Sequence, residues 1–200
     1  MFYVNQLKTS HIFSSNTYLI SADGETAVVD PNAPYIASYG RVKYVLLTHA
    51  HFDHMLDIDS WVNEGGATVV VSRYDKAALS DSAKNCSYGF MRQHVVYSGD
   101  VLEVDDGDLL PLGNETVEVI STPGHTMGSL VYKIGDTAFV GDLAFAGGNY
   151  GRCDLYGGDE DELHESIKKL ISLDPDTLLL TGHGEETTVK EYKNDYRKFC

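Results

Sequence analysis

Residues 48–57 read THAHFDHMLD, so three of the chain's eight histidines and two aspartates fall within ten positions, directly behind the apolar run VKYVLL. The run from Val42 to His49 reads as a buried strand, and this strand end concentrates imidazole and carboxylate more densely than any other part of the sequence. On an extended chain, residues two apart face the same way, so His49 and His51 converge on one point. Asp53 and His54 fall where the strand gives way to a helix, and the turning backbone lets them address a second point nearby. Imidazole and carboxylate together suit zinc, iron or manganese.

Three further segments repeat this arrangement. EVISTPGHTMGS offers His125, AFVGDLAF offers Asp142 and LLLTGHGEETT offers His183, each at the end of an apolar strand in a turn of small residues. Strand-end loops are where folds of this kind build sites, and glycines allow close approach to a shared centre. Seven candidate ligands, His49, His51, Asp53, His54, His125, Asp142 and His183, thus come from four strand ends. Two ions need about this many donors if positions are to stay open for water and substrate. His11, His94 and His164 lack that context and read as ordinary surface or boundary residues, His164 as a solvated position on a helix.

The rest of the chain reads as strands in runs with helices set among them. NTYLISADGETAVVD gives two strands around Asp23-Gly24, MLDIDSWVNEGG a helix stopped by Gly65-Gly66, ATVVVS a strand and RYDKAALSDSA a short helix. Residues 83–99 have no clear period and read as a loop or lid. TVEVIS, LVYKIG, TAFVGD and TLLLTGHG are strands. GDEDELHESIKKLISL is the clearest helix, with Asp159 as cap and Leu163, Ile167, Leu170 and Ile171 as one apolar stripe. A last helix is expected up to Tyr196. With no linker or repeat, residues 1–200 read as a single domain of α/β or α+β type.

A formal charge of −15 argues against a nucleic-acid partner. No segment reaches the ~18 apolar residues of a membrane span. The opening MFYVNQLKTSHIFSS has no secretion-signal pattern, and Cys86, Cys153 and Cys200 are odd in number and far apart. A cytoplasmic protein with free thiols is the expectation.

In THAHFDH, STPGHTMGS, VGDLAF, GRCDLYGGD and TGHGEETT, in that order, the chain resembles the metallo-β-lactamase superfamily, specifically its short glyoxalase II-like hydrolases. NTYLI and AVVD look like that family's opening strands. The resemblance implies a four-layer αββα sandwich with its metals at one edge. It implies that His49, His51 and His125 hold one ion, that Asp53, His54 and His183 hold another, and that Asp142 bridges them. The cofactor implied is a pair of divalent ions, zinc first, with iron or manganese as alternatives. A hydroxide shared by the ions would be the nucleophile, with Asp53 orienting it. The substrate implied is a small-molecule thioester or acyl ester, S-2-hydroxyacylglutathione being the first candidate.

The same resemblance leaves room for a mononuclear-iron persulfide dioxygenase and for a lactonase. Asn149 and Tyr150 are candidate pocket residues. Arg152 offers either an anion contact or, the commoner use of such a residue, an ion pair with Asp154. Asp57 stands where the family usually has glycine, Met127 and Thr181 stand where it often has proline, and AGGNYGRCDL is one residue longer than usual, with Cys153 in place of threonine. With residues 184–200 alone following His183, no counterpart of the C-terminal helical domain of full-length glyoxalase II enzymes is expected.

Overall fold

The computed structural model describes residues 1–13 and 15–196. Two six-stranded mixed sheets lie face to face. The first has the order β1 (Phe2–Leu7), β2 (Thr17–Ala22), β3 (Glu25–Val29), β4 (Tyr44–Leu46), β5 (Thr68–Ser72) and β6 (Val101–Val104). The second runs from β7 (Leu109–Leu112) through β8 (Glu115–Ser121), β9 (Leu130–Ile134), β10 (Thr137–Gly141) and β11 (Leu178–Thr181) to β12 (Thr187–Thr188). Strands β1 to β3 form antiparallel pairs, and β3 to β6 are parallel. In the second sheet only β10 and β11 pair in parallel.

The four layers follow from side-chain alternation. Ile20, Val29, Leu46 and Val70 point between the sheets, where they meet Leu112, Val119, Tyr132 and Phe139. Their neighbours Leu19, Val28, Val45 and Val69 point outward and are covered by Ile58 and Trp61 of α1 (Ile58–Asn63) and by Ala78 and Leu79 of α2 (Lys76–Leu79). On the opposite side Val131, Ala138, Val140 and Leu179 are covered by α4 (Glu160–Leu170) and α5 (Val189–Tyr196). Strands apolar on both faces need cover on both, and they have it. Asp159 caps α4 by accepting from Glu162 N–H. The turn between β2 and β3 carries positive φ at Asp23 and Gly24, as a two-residue hairpin requires.

Several boundaries differ from the sequence expectation. The ladder of β4 ends at Leu46 rather than His49, because Thr48 N–H donates to the Asp30 carboxylate and its carbonyl accepts from Leu130 N–H of the other sheet. The helix expected from Met55 begins only at Ile58, after a 3₁₀ turn at Phe52–His54. Residues 83–99, expected as a loop, contain α3 (Ser87–Met91). That segment is organised by polar bonds: Asn85 Nδ2 donates to the Val95 carbonyl and Asn85 Oδ1 accepts from Ser87 N–H. Cys86 and Cys153 are free thiols, and Cys200 lies outside the described residues. No helix among the described residues is long and apolar enough to cross a membrane.

Candidate metal centre

Strand direction brings together three of the four segments that carry candidate ligands. Both β8 and β10 are antiparallel to β9, and β11 is parallel to β10, so all three end at the same edge of the second sheet. His125 follows β8, Asp142 follows β10 and His183 follows β11. The end of β4 is tied to this edge by the bond from Leu130 N–H to the Thr48 carbonyl. All seven candidate ligands meet there. His49, His51, His54 and His125 are buried, and Asp53, Asp142 and His183 are half-buried.

In one half of the cluster, His125 Nε2 lies 3.2 Å from His49 Nε2 and 2.9 Å from His51 Nδ1. The proton positions follow from the surroundings. His125 Nδ1 is 2.7 Å from the Arg152 carbonyl, which can only accept, so Nδ1 carries the proton and Nε2 a bare lone pair. Thr48 Oγ1 donates to Asp30 and accepts from His49 Nδ1–H, which leaves His49 Nε2 bare as well. The bare lone pairs of His49 Nε2 and His125 Nε2, 3.2 Å apart, repel unless a cation lies between them. Burial, and then the neighbouring imidazoles, hold His49 well below the ordinary histidine value. Burial and His125 lower His51 to about 3, and burial also lowers His125. Neutral imidazoles are the form that binds metal.

The other half is rich in carboxylate. His54 Nε2 lies 3.3 Å from Asp142 Oδ1, His183 Nε2 lies 3.4 Å from Asp53 Oδ2 and 3.5 Å from Asp142 Oδ1, and His125 Nε2 lies 3.6 Å from Asp142 Oδ2. Asp142 therefore faces both halves. Burial opposes charge throughout, but the acids outweigh it: Asp30 and Asp142 hold His54 well above its ordinary value, and Asp142 and Asp53 raise His183 to about 9. Burial likewise works against ionisation of Asp53 and Asp142, yet His183 and His54 hold both carboxyls low. His54 Nε2 and Asp142 Oδ1 are buried, face each other across 3.3 Å and make no closer bond, and a metal ion bound here would take the place of the protons that the acids otherwise draw onto His54 and His183. Among the described residues, three sets of donors have their atoms within 4.8 Å of one another: His49, His51 and His125; His49, His54 and Asp142; and Asp53, His54 and His183. The cluster can bind metal ions.

Two acids not singled out from the sequence support these candidate ligands. Asp30, just past β3, accepts from Thr48 N–H at 2.8 Å, from Thr48 Oγ1 at 2.6 Å and from His54 Nδ1 at 2.9 Å. Such a carboxylate fixes the tautomer and orientation of a ligating ring. Its signal was present in AVVD, an apolar strand ending in an acid, as in FVGD before Asp142. Asp75 accepts from Ala50 N–H, Thr126 Oγ1 and Gly128 N–H, and burial pushes its carboxyl up.

The remaining candidates lie around the cluster. Asp57 pairs with His11 at 2.8 Å. His94 lies 2.7 Å from Ser82 Oγ. His164, expected to be solvated, is half-buried and shares a 2.6 Å hydrogen bond with Tyr196 Oη. The ring of Tyr150 packs against His164 and Tyr196, and Asn149 is exposed with a bond to the Ala146 carbonyl. Arg152 forms a two-pronged pair with Asp154 at 2.6 and 2.7 Å, and its carbonyl holds His125. Arg152→Ala should therefore leave metal content and the thermal midpoint unchanged, since His125 is held by backbone and exposed pairs contribute little. Elemental analysis and thermal unfolding check this.

A profile of the metallo-beta-lactamase superfamily matches residues 12–183. A probable metallo-hydrolase, YqgX of Bacillus subtilis, is 37% identical over 187 residues, covering 88% of this chain and 87% of that protein. A hydroxyacylglutathione hydrolase of Acidiphilium cryptum is 33% identical over 175 residues, covering 83% of this chain but 63% of the enzyme. The crystal structure of the B3 metallo-beta-lactamase BLEG-1 superposes with a TM-score of 0.88 at 29% identity, over 96% of this chain and 97% of that one.

Proposed function

This chain belongs to the metallo-β-lactamase superfamily, and from that premise we propose that it is a binuclear metal-dependent hydrolase of thioesters or related acyl esters. The observation that carries the proposal is Asp142, whose two oxygens face one donor set each. His49, His51 and His125 would hold the first ion, and Asp53, His54 and His183 the second. Zinc suits these nitrogen and oxygen donors best, and iron or manganese would also fit. When bound, such ions lower the pKa of water and polarise a substrate carbonyl.

The chain's own residues supply the rest. Asp53 is held ionised by His183 and His54, so it can orient an attacking water by accepting its hydrogen. Asp30 and the Arg152 carbonyl keep His54 and His125 in the tautomers that turn Nε2 inward. Phe145 packs edge-on against His183 with ring centroids 5.9 Å apart, restricting that ring's swing.

The choice of a thioester is supported by the likeness to the Acidiphilium hydroxyacylglutathione hydrolase, whereas BLEG-1 points to a β-lactam. One experiment separates them: elemental analysis of the purified protein, followed by assay against small thioesters, lactones, a β-lactam and, with an oxygen electrode, glutathione persulfide. The expected result is two metal equivalents per chain and fastest turnover of a thioester. One iron with oxygen uptake, or turnover confined to the β-lactam or the lactone, would overturn the proposal.

A further inference from the structure

Asp30 and Asp75 support different parts of the cluster, and they do so differently. Asp30 bonds to a ligating ring, that of His54. The hydrogen bonds of Asp75 go instead to the chain that carries the ligands. Its Oδ2 accepts from Ala50 N–H at 3.0 Å, and Ala50 lies between His49 and His51. The same oxygen accepts from Thr126 Oγ1 at 2.8 Å, and Thr126 follows His125. Its Oδ1 accepts from Gly128 N–H at 3.0 Å. One carboxylate thus spans the two segments that supply His49, His51 and His125, whose ring nitrogens already stand within 3.2 Å of His125 Nε2. Asp75 is 5% exposed, so water cannot replace a lost bond. The contact is also tight: a Cβ on Gly128 would come within 2.6 Å of the Asp75 carboxyl carbon.

We infer that Asp75 is a positioning residue that sets the separation between the His49–His51 strand end and the His125 turn, and thereby the affinity of the first ion alone. The inference rests on reading the cluster as a centre for two ions. All three groups facing the carboxylate are donors, so an amide in its place would turn a donor toward a donor.

The test is a cobalt(II) titration of the metal-free protein, followed by visible absorption, with bound metal counted after equilibrium dialysis. Wild type should take up two equivalents. Asp75→Asn should keep one at wild-type affinity and bind the other about 10- to 100-fold more weakly, with the absorption of the first site altered. Thr126→Val should shift the same equivalent in the same direction by less, and Thr126→Ser should restore wild-type binding. An Asp75→Asn protein that binds both ions as wild type does, or weakens both alike, would overturn the inference. Should Asp75→Asn fail to fold, Thr126→Val decides by the same readout, and binding indistinguishable from wild type would overturn it. A wild-type chain that takes up no cobalt would refute the metal centre itself, and the inference with it.

Discussion

Asp142→Ala should lower turnover on the order of 10³-fold and strip metal from the protein, as loss of a group that stabilises charge in both halves requires. Among the described residues, Asp142 is the one acid whose two oxygens face His54 and His183 on one side and His125 on the other. Its carboxyl is held low against the opposition of burial, so the site is built around a negative charge at this point. Without that charge, the acids raising His54 and His183 are reduced to Asp30 and Asp53. Asp142→Asn keeps the shape and discards the charge, and it should lose metal nearly as completely. Steady-state kinetics and elemental analysis on both variants check this. Full turnover retained by either would show that the hydrolytic site lies elsewhere.

Gly182→Ala should be almost as damaging, although no ligand is removed. A Cβ at this position would run into Asp142 Oδ1, and it would come within 2.9 Å of His54 Cε1 and of the Gly141 carbonyl carbon. The backbone cannot retreat, because Gly182 N–H donates to Gly141 and the Gly182 carbonyl accepts from Asn16 N–H, both at 2.7 Å. Displacing Asp142 and the His54 imidazole, the proposed bridge and one of the proposed ligands, by even an ångström should cost about 10²-fold in kcat/KM. Gly184→Ala supplies the contrast. It has φ +77 and nothing within 4 Å of a built Cβ, so the added methyl meets only backbone strain of about 1 kcal/mol. A Gly182→Ala enzyme with wild-type kinetics and metal content would contradict the packing described here.

The interior of this fold was legible in the sequence and its margins were not. Strands β2, β3, β5, β8, β9, β10 and β11 are apolar enough to read directly, and α4 carries both a cap and a stripe. The strands that went unread are β1, β6, β7 and β12, which are the four sheet edges. An edge strand is buried on less of its surface, as Phe2–Leu7 shows, where no residue is fully buried. The seven metal-ligand candidates were legible because spacing and strand-end position announce them, and they do come together in the fold. Asp30, despite its place at the end of AVVD, and Asp75 went unremarked, because an acid after a strand with no histidine beside it looks solvated until its partners are known. Those partners, Thr48 and His54 for one, Ala50, Thr126 and Gly128 for the other, lie 18 to 53 residues away. The α3 segment was missed because Asn85 shapes it through hydrogen bonds, which leave no hydrophobic period.

The bond from Leu130 N–H to the Thr48 carbonyl joins the two sheets beside the candidate ligands. His49, His51, Asp53 and His54 arrive from one sheet, and His125, Asp142 and His183 from the other. Ions held there would act as a rivet through the sandwich, and neither leaf could slide or peel away without tearing its donors from the shared charge. Catalytic competence and the mechanical union of the two leaves would then be lost together.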